Sequence, residues 1–176
     1  MIENVVGRET AATGKIISFE KLKVEFPDGR RADRDIVRHP GGCVIIPTDD
    51  NNNIYLVKQY RVAFEDDILE LPAGKLEKGE DPLICARREL KEETGISAET
   101  IRHVTSIYSS PGFCDEVIHI FFAQNIKVED PEPDEDEFVQ TVKIPLGELA
   151  NMVWRGEVND AKTVAGVLMA ERLLKG

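Results

Sequence analysis

The segment Pro82–Thr94 sets three glutamates where they could act together. Glu89 and Glu93 are four residues apart and Glu92 is three from Glu89, so on a helix all three share a face. Like charges at that spacing oppose the helix slightly, and a divalent cation between them relieves the repulsion. Carboxylate oxygens are hard ligands, which suit Mg²⁺ or Mn²⁺ better than Zn²⁺. Acids on a helix ordinarily mark a solvated face, but the preceding loop argues for more. Gly74 opens a Lys/Glu/Gly-rich connection that turns backbone carbonyls toward this helix, and Glu80 stands just before its cap. Arg88 lies one turn before Glu92 and can hold that carboxylate in place. Leu83, Ala86 and Leu90 form the opposite, apolar stripe.

A second concentration of acid lies between Lys127 and Lys143, where no basic residue occurs. It holds Glu129, Asp130, Glu132, Asp134, Glu135, Asp136 and Glu137. Pro131 and Pro133 favour a solvated loop there. His39, His103 and His119 are not spaced as a ligand set, and nothing visible lowers the pKa of Cys114.

The elements that must position these groups mix strands and helices. Lys15–Phe19, Leu22–Phe26 and Arg31–Arg38 read as three short strands, the last two joined at Pro27-Asp28-Gly29. Such a unit makes a poor core alone and needs support from the main domain or a second copy of the chain. We expect an N-terminal β unit over 1–39 and a main domain over 40–176. In the latter, Cys43–Pro47, Ile54–Tyr60, Ile68–Leu71, Val104–Tyr108, Val117–Ala123 and Thr141–Ile144 read as strands. Asp81-Pro82 opens a helix that Gly95 stops. Leu146–Met152 reads as a short helix, and Asn159 or Asp160 caps a last one reaching Leu174. Without strict βαβ alternation, the fold class is α/β or α+β with a mixed sheet between helices.

The whole chain sets limits on partners. Its 176 residues suit one compact domain or one with a small appendage. Lys+Arg number 22 and Asp+Glu 33, a net charge of −11, which argues against nucleic-acid or membrane-surface binding. A phosphorylated substrate arriving with a metal stays compatible. Cys43, Cys85 and Cys114 are odd in number and far apart in sequence, so neither a disulfide framework nor a zinc ribbon is expected. The N-terminus lacks an apolar signal core and no run approaches a membrane span, giving a cytoplasmic expectation.

Gly74, five residues, Glu80, seven residues, Arg88-Glu89-Leu90, one residue, Glu92-Glu93, one residue and Gly95-Ile96 resembles the Nudix box at every fixed position. The resemblance implies an α/β/α sandwich that hydrolyses a nucleoside diphosphate linked to another moiety, using one to three Mg²⁺ or Mn²⁺ ions. By position, Glu89 and Glu93 are the main metal ligands and Glu92 supports them in catalysis. Gly74, Glu80, Arg88 and Gly95 are structural in the motif.

Outside the box, Glu70-Leu71-Pro72-Ala73-Gly74, Gln59-Tyr60-Arg61, Arg34–His39 and Ser109–Glu116 resemble the ADP-ribose pyrophosphatase subgroup. That likeness implies hydrolysis of ADP-ribose to AMP and ribose 5-phosphate, in a homodimer whose N-terminal strands swap to complete each site. It makes the Ala73 carbonyl a metal ligand and Arg61 a phosphate ligand. Ser110, Pro111, Gly112 and Glu116 would contact the terminal ribose, and Arg34 would stack on adenine. Asp35, His39 and Lys75 join the substrate set. In the subgroup an aromatic often covers the other face of the adenine; the corresponding position here is Ile16 or Ile17, with Phe19 nearby, a departure from that pattern. Glu135 would be the catalytic base and Glu137 a further metal ligand, with Glu132 or Asp136 as substitutes. The same chemistry on another nucleotide sugar such as GDP-mannose is the second reading, and a sensing module that binds ADP-ribose without cleaving it the third.

Overall fold

The computed structural model describes residues 2–129 and 139–175; Glu132, Glu135, Asp136 and Glu137 lie outside the described residues. The chain divides into two units, Met1–Gly41 with Tyr108–Val117, and Gly42–Ile107 with Ile118–Gly176.

The first unit is built on an antiparallel meander of β1 (Asn4–Thr13), β2 (Ser18–Glu25) and β3 (Arg31–Arg38). Lys15–Phe19 is no strand of its own. Gly14–Ile17 is the turn after β1, closed by the Gly14 N–H on the Ile17 carbonyl at 2.8 Å, and β2 begins at Ser18. β1 escaped the reading because Asn4–Thr13 shows no apolar alternation and is exposed along nearly all its length. Its pairing with β2 also shifts register between Val5 and Gly7 and between Thr10 and Ala12, which scrambles the two-residue period. The Ser110–Cys114 turn joins this unit through the Val37 N–H on the Phe113 carbonyl at 2.7 Å.

The second unit has two sheets. One runs β7 (Ala73–Lys75), β4 (Gly42–Pro47), β9 (Val117–Val128) and β8 (Ile96–Tyr108). β4 and β9 are parallel, β7 antiparallel to β4, so this sheet is mixed. The other runs β10 (Val139–Pro145), β5 (Asn53–Arg61) and β6 (Asp66–Glu70), all antiparallel. β8 is much longer than the expected Val104–Tyr108. Its first half carries Ala98, Glu99 and Arg102, which have weak strand preference and are held by the sheet instead. β7 is only three residues, too short to show a period.

The two faces of β4 explain the layering. Val44 and Ile46 pack in one core with Ile120 and Phe122 of β9 and with Leu149 and Val167, which belong to α2 (Leu146–Trp154) and α3 (Ala161–Lys175). Cys43 and Ile45 pack in the other with Phe121 and with Cys85, Ala86 and Leu90 of α1 (Pro82–Thr94). Helices thus cover both faces of the mixed sheet, as a continuous apolar strand requires. Among the described residues no helix is long and apolar enough to cross a membrane.

The β4–β5 connection gives a prediction of its own. Asp49 accepts hydrogen bonds from the Asn51 and Asn53 N–H groups and pairs with Lys143 at 2.7 Å. Burial opposes its charge, but Lys143 and Asn53 outweigh that and bring its pKa down to about 2. A depressed carboxyl stabilises the fold above its unfolded value and loses that contribution as pH falls through its folded one. Asp49→Asn should therefore cost about 1 kcal/mol at pH 7 after allowance for screening. Melting curves should show the gap from wild type closing between pH 4 and pH 2; a gap that does not change with pH would refute the assignment.

Candidate active site

The glutamate-bearing helix is fixed at both ends. Asp81 caps α1 through its carboxylate on the Leu83 N–H at 2.8 Å, and Pro82 takes the first helical position. Gly95 ends it in the left-handed conformation, φ 68°, with its N–H on the Lys91 carbonyl. An L side chain there would cost about 1 kcal/mol or more.

Glu89 and Glu93 are buried, 8% and 4% exposed, although both are carboxylates. Charges so withdrawn from water need compensation, and neighbouring groups supply part of it. Glu93 Oε2 accepts from the Ala73 N–H at 3.0 Å. Glu89 Oε1 accepts from Arg88 Nη1 at 2.8 Å. The Glu89 carboxylate lies directly over Gly74: a Cβ on Gly74 would stand 1.9 Å from its carboxyl carbon. Gly42 of β4 allows the matching approach on the other side, since a Cβ there would stand 2.7 Å from the Gly74 carbonyl oxygen. In the sequence Gly42 is one of a Gly-Gly pair where the pattern changes, with no local signal of this approach.

Arg88 is the hub. It donates to Glu80 at 3.1 and 3.2 Å, to Glu89 at 2.8 Å and to Glu92 at 3.0 Å. The hydrogen bond to Glu80 is foremost in holding the guanidinium protonated, and the same pairing holds Glu80 below the usual carboxylate range. Glu80 in turn accepts from the Glu77 N–H at 2.9 Å, which fixes the loop before the cap. The side chains expected to be structural, Glu80 and Arg88, are thus tied into one network with Glu89 and Glu92.

The remaining expected residues fall in two places. Arg61, in the second unit, is bound through Nε and Nη2 to Glu70 at 2.6 and 2.7 Å. The Lys75 carbonyl accepts weakly from Arg88 at 3.5 Å, and its side chain is exposed. In the first unit, Arg38 and the His39 N–H both bind Asp115, at 3.0 and 2.8 Å. His39 Nδ1 comes within 3.4 Å of Glu116 while accepting from the Gly41 N–H at 3.1 Å. The Ser110 carbonyl accepts from the Phe113 and Cys114 N–H groups, closing the turn that holds Pro111 and Gly112. Arg34 pairs with Glu3 at 2.7 Å, and Asp35 is exposed on the same strand. The aromatic beside Arg34 is Phe26, whose ring centre lies 5.7 Å from the guanidinium carbon. Ile16 and Ile17, at the position where the subgroup often has an aromatic, are exposed in the β1–β2 turn.

Cys43 and Cys85 were far apart in sequence, yet their Sγ atoms lie 3.0 Å apart beneath the box helix. All three cysteines are free. The contact with Cys85, with burial, pushes the Cys43 thiol far up, so it acts as packing.

Both flanks of the acidic stretch are attached to α1. The Glu129 N–H donates to the Gly95 carbonyl at 3.0 Å, and its carboxylate pairs with Lys91. On the far side Val139 pairs with Gln59, and the Thr141 hydroxyl donates to the Glu93 carbonyl at 3.5 Å. Among the described residues no three acid, histidine or cysteine groups converge to hold an ion. Two buried carboxylates, that of Glu89 lying over a glycine with no room for a Cβ, are nonetheless a donor set of the right chemistry for a hard divalent cation.

A family model described as NUDIX domain matches residues 37–166. The chain is 42% identical to a protein of Bacillus subtilis strain 168 named ADP-ribose pyrophosphatase, over 94% of this chain and 90% of that one. It is 40% identical to a Bacillus methanolicus protein named methanol dehydrogenase activator, over the same shares. A crystal structure described as ADP compounds hydrolase superposes with a TM-score of 0.88 at 25% identity, covering 100% of this chain and 96% of that one.

Proposed function

This chain belongs to the Nudix hydrolase family, and we propose that it cleaves the diphosphate linkage of ADP-ribose to AMP and ribose 5-phosphate. The observation that carries the reading is the buried pair Glu89 and Glu93, fixed by Arg88, the Ala73 N–H and the glycine cradle. Two relatives of nearly equal likeness bear different names, so overall likeness does not select the substrate. The residues outside the box that resemble the ADP-ribose subgroup support that substrate.

Glu89 and Glu93, with the Ala73 carbonyl and Glu137, would hold one to three Mg²⁺ or Mn²⁺ ions. Such ions, when bound, neutralise diphosphate oxygens and lower the pKa of water. The chain's own groups do the rest. Arg88 keeps Glu89 and Glu92 in register, so no reorganisation is needed when charge develops. Arg61 spends its Nε–Nη2 edge on Glu70, and the Nη1–Nη2 edge suits a phosphate. Glu135 takes the proton of the attacking water as general base. The attachment of Glu129 and Thr141, on either side of that segment, to α1 and its cap supports that role. Ser110, Pro111, Gly112, Glu116, His39 and Asp35 recognise the terminal ribose side, Arg34 with Phe26 the adenine, and Lys75 the diphosphate.

A homodimer fits the exposure of Ile2, Val5, Val6, Ile16 and Ile17 on and around β1, an apolar edge that a second copy would cover. The substrate reading is tested with a panel of nucleotide sugars in Mg²⁺. ADP-ribose should lead GDP-mannose in kcat/KM by about tenfold or more. GDP-mannose in first place would transfer the reading to that substrate, and tight binding of ADP-ribose with no turnover would make the chain a sensor.

A further inference from the structure

Glu70 ends β6 and is 3% exposed. Its two oxygens face two cations: Arg61 binds both, and Lys162 of α3 binds Oε2. One carboxylate between two cations leaves an excess positive charge, and Asp160 balances it by accepting from Lys162 Nζ at 2.9 Å. Asp160 also accepts from the Thr163 N–H and hydroxyl at 2.9 and 2.6 Å, and that hydroxyl accepts from the Leu71 N–H at 2.8 Å. Glu70 and Leu71 are consecutive, so the start of α3 grips the chain at two adjacent residues.

From there each residue is fixed in turn. The Pro72 carbonyl accepts from the Ile45 N–H at 2.9 Å, the Ala73 N–H donates to Glu93, and Gly74 lies under Glu89. Neither Glu70 nor any part of α3 belongs to the box. We infer that Glu70 and Lys162 are positioning residues: the Glu70–Lys162–Asp160 chain presets the Arg61 guanidinium for the substrate diphosphate. The physical reason is preorganisation. A guanidinium half exposed on a strand end has many rotamers, and locking one of its edges removes that entropy before the anion arrives. Lys162 holds Glu70 from the other side, so the carboxylate keeps the orientation that grips the Nε–Nη2 edge of Arg61. This inference rests on Arg61 contacting phosphate under the proposed function.

The test is a set of double-mutant cycles read by calorimetric binding of ADP-ribose to the full chain in EDTA, where turnover cannot contribute, with KM and kcat in Mg²⁺ as a second readout. Lys162→Met and Glu70→Gln should each weaken binding about tenfold in the native background, raising KM more than they lower kcat. In the Arg61→Met background each should change binding less than twofold, because the group they act through is gone. Lys162→Arg should restore most of the loss. Equal losses in both backgrounds, or no loss in the native one, would overturn the inference. If Glu70→Gln fails to fold, Lys162→Met carries the same comparison. If Arg61→Met itself leaves ADP-ribose binding unchanged, the phosphate role of Arg61 fails, an outcome distinct from failure of the positioning chain alone.

Discussion

Glu93→Gln should lower kcat by about 10³-fold or more while leaving the fold intact. The substitution preserves shape, and the new amide keeps an oxygen for the Ala73 N–H that Glu93 now receives at 3.0 Å. What it removes is one negative charge from a site buried to 4% exposure. The isosteric amide stays hydrogen-bonded to the Ala73 N–H, so the melting temperature should stay within a few degrees of wild type. The same change removes a hard anionic ligand, and a neutral amide oxygen is a poor replacement toward Mg²⁺. Loss of activity with retained stability is therefore the signature of a metal-holding carboxylate. Loss of both would make Glu93 a support of the helix.

Gly74→Ala is the second large effect, and it acts with no change in charge. The added Cβ would fall 1.9 Å from the Glu89 carboxyl carbon and 1.9 and 2.4 Å from its oxygens. No rotation of a methyl group relieves such an overlap, so the Glu89 carboxylate has to move by an ångström or more. Displacement on that scale costs about 10²-fold in rate where a reacting group must be held in place. The stability cost should be about 1–3 kcal/mol, the usual range for overpacking. Steady-state kinetics beside thermal melting checks this: a variant with wild-type kcat would mean that the position of Glu89 over Gly74 does not matter to turnover.

These two residues show what the sequence made legible. The helix, its Asp81-Pro82 start and its Gly95 stop follow from local chemistry, because caps and a left-handed terminus are specified by the residues that form them. The shared face of Glu89, Glu92 and Glu93 follows from helical spacing alone. Burial does not. It depends on β7 and β4 bringing two glycines under the helix, and β7 is too short to announce itself. Long-range pairs were equally silent. Arg61 and Glu70 lie nine residues apart, Lys162 and Glu70 ninety-two, and neither separation carries a local signal. Cys43 and Cys85 meet across strand and helix for the same reason. β1 was missed because its exposed, bulged pairing erases the alternation by which strands are read. Phe26 comes beside Arg34 only through the β2–β3 pairing, which no local pattern announces.

The acidity takes on a different meaning beside this geometry. A net charge of −11 still opposes a nucleic-acid backbone. Near α1, however, carboxylates are gathered around a single arginine and a glycine cradle, a charge distribution suited to the divalent cations of the proposed function.

The most direct measurement of the central claim is the release of AMP from ADP-ribose by the purified chain, followed with Mg²⁺, then with EDTA, then with Mg²⁺ restored. Steady AMP formation that stops in EDTA and resumes with the metal is the predicted result. AMP formation at the same rate in EDTA, or none with either Mg²⁺ or Mn²⁺, would contradict it.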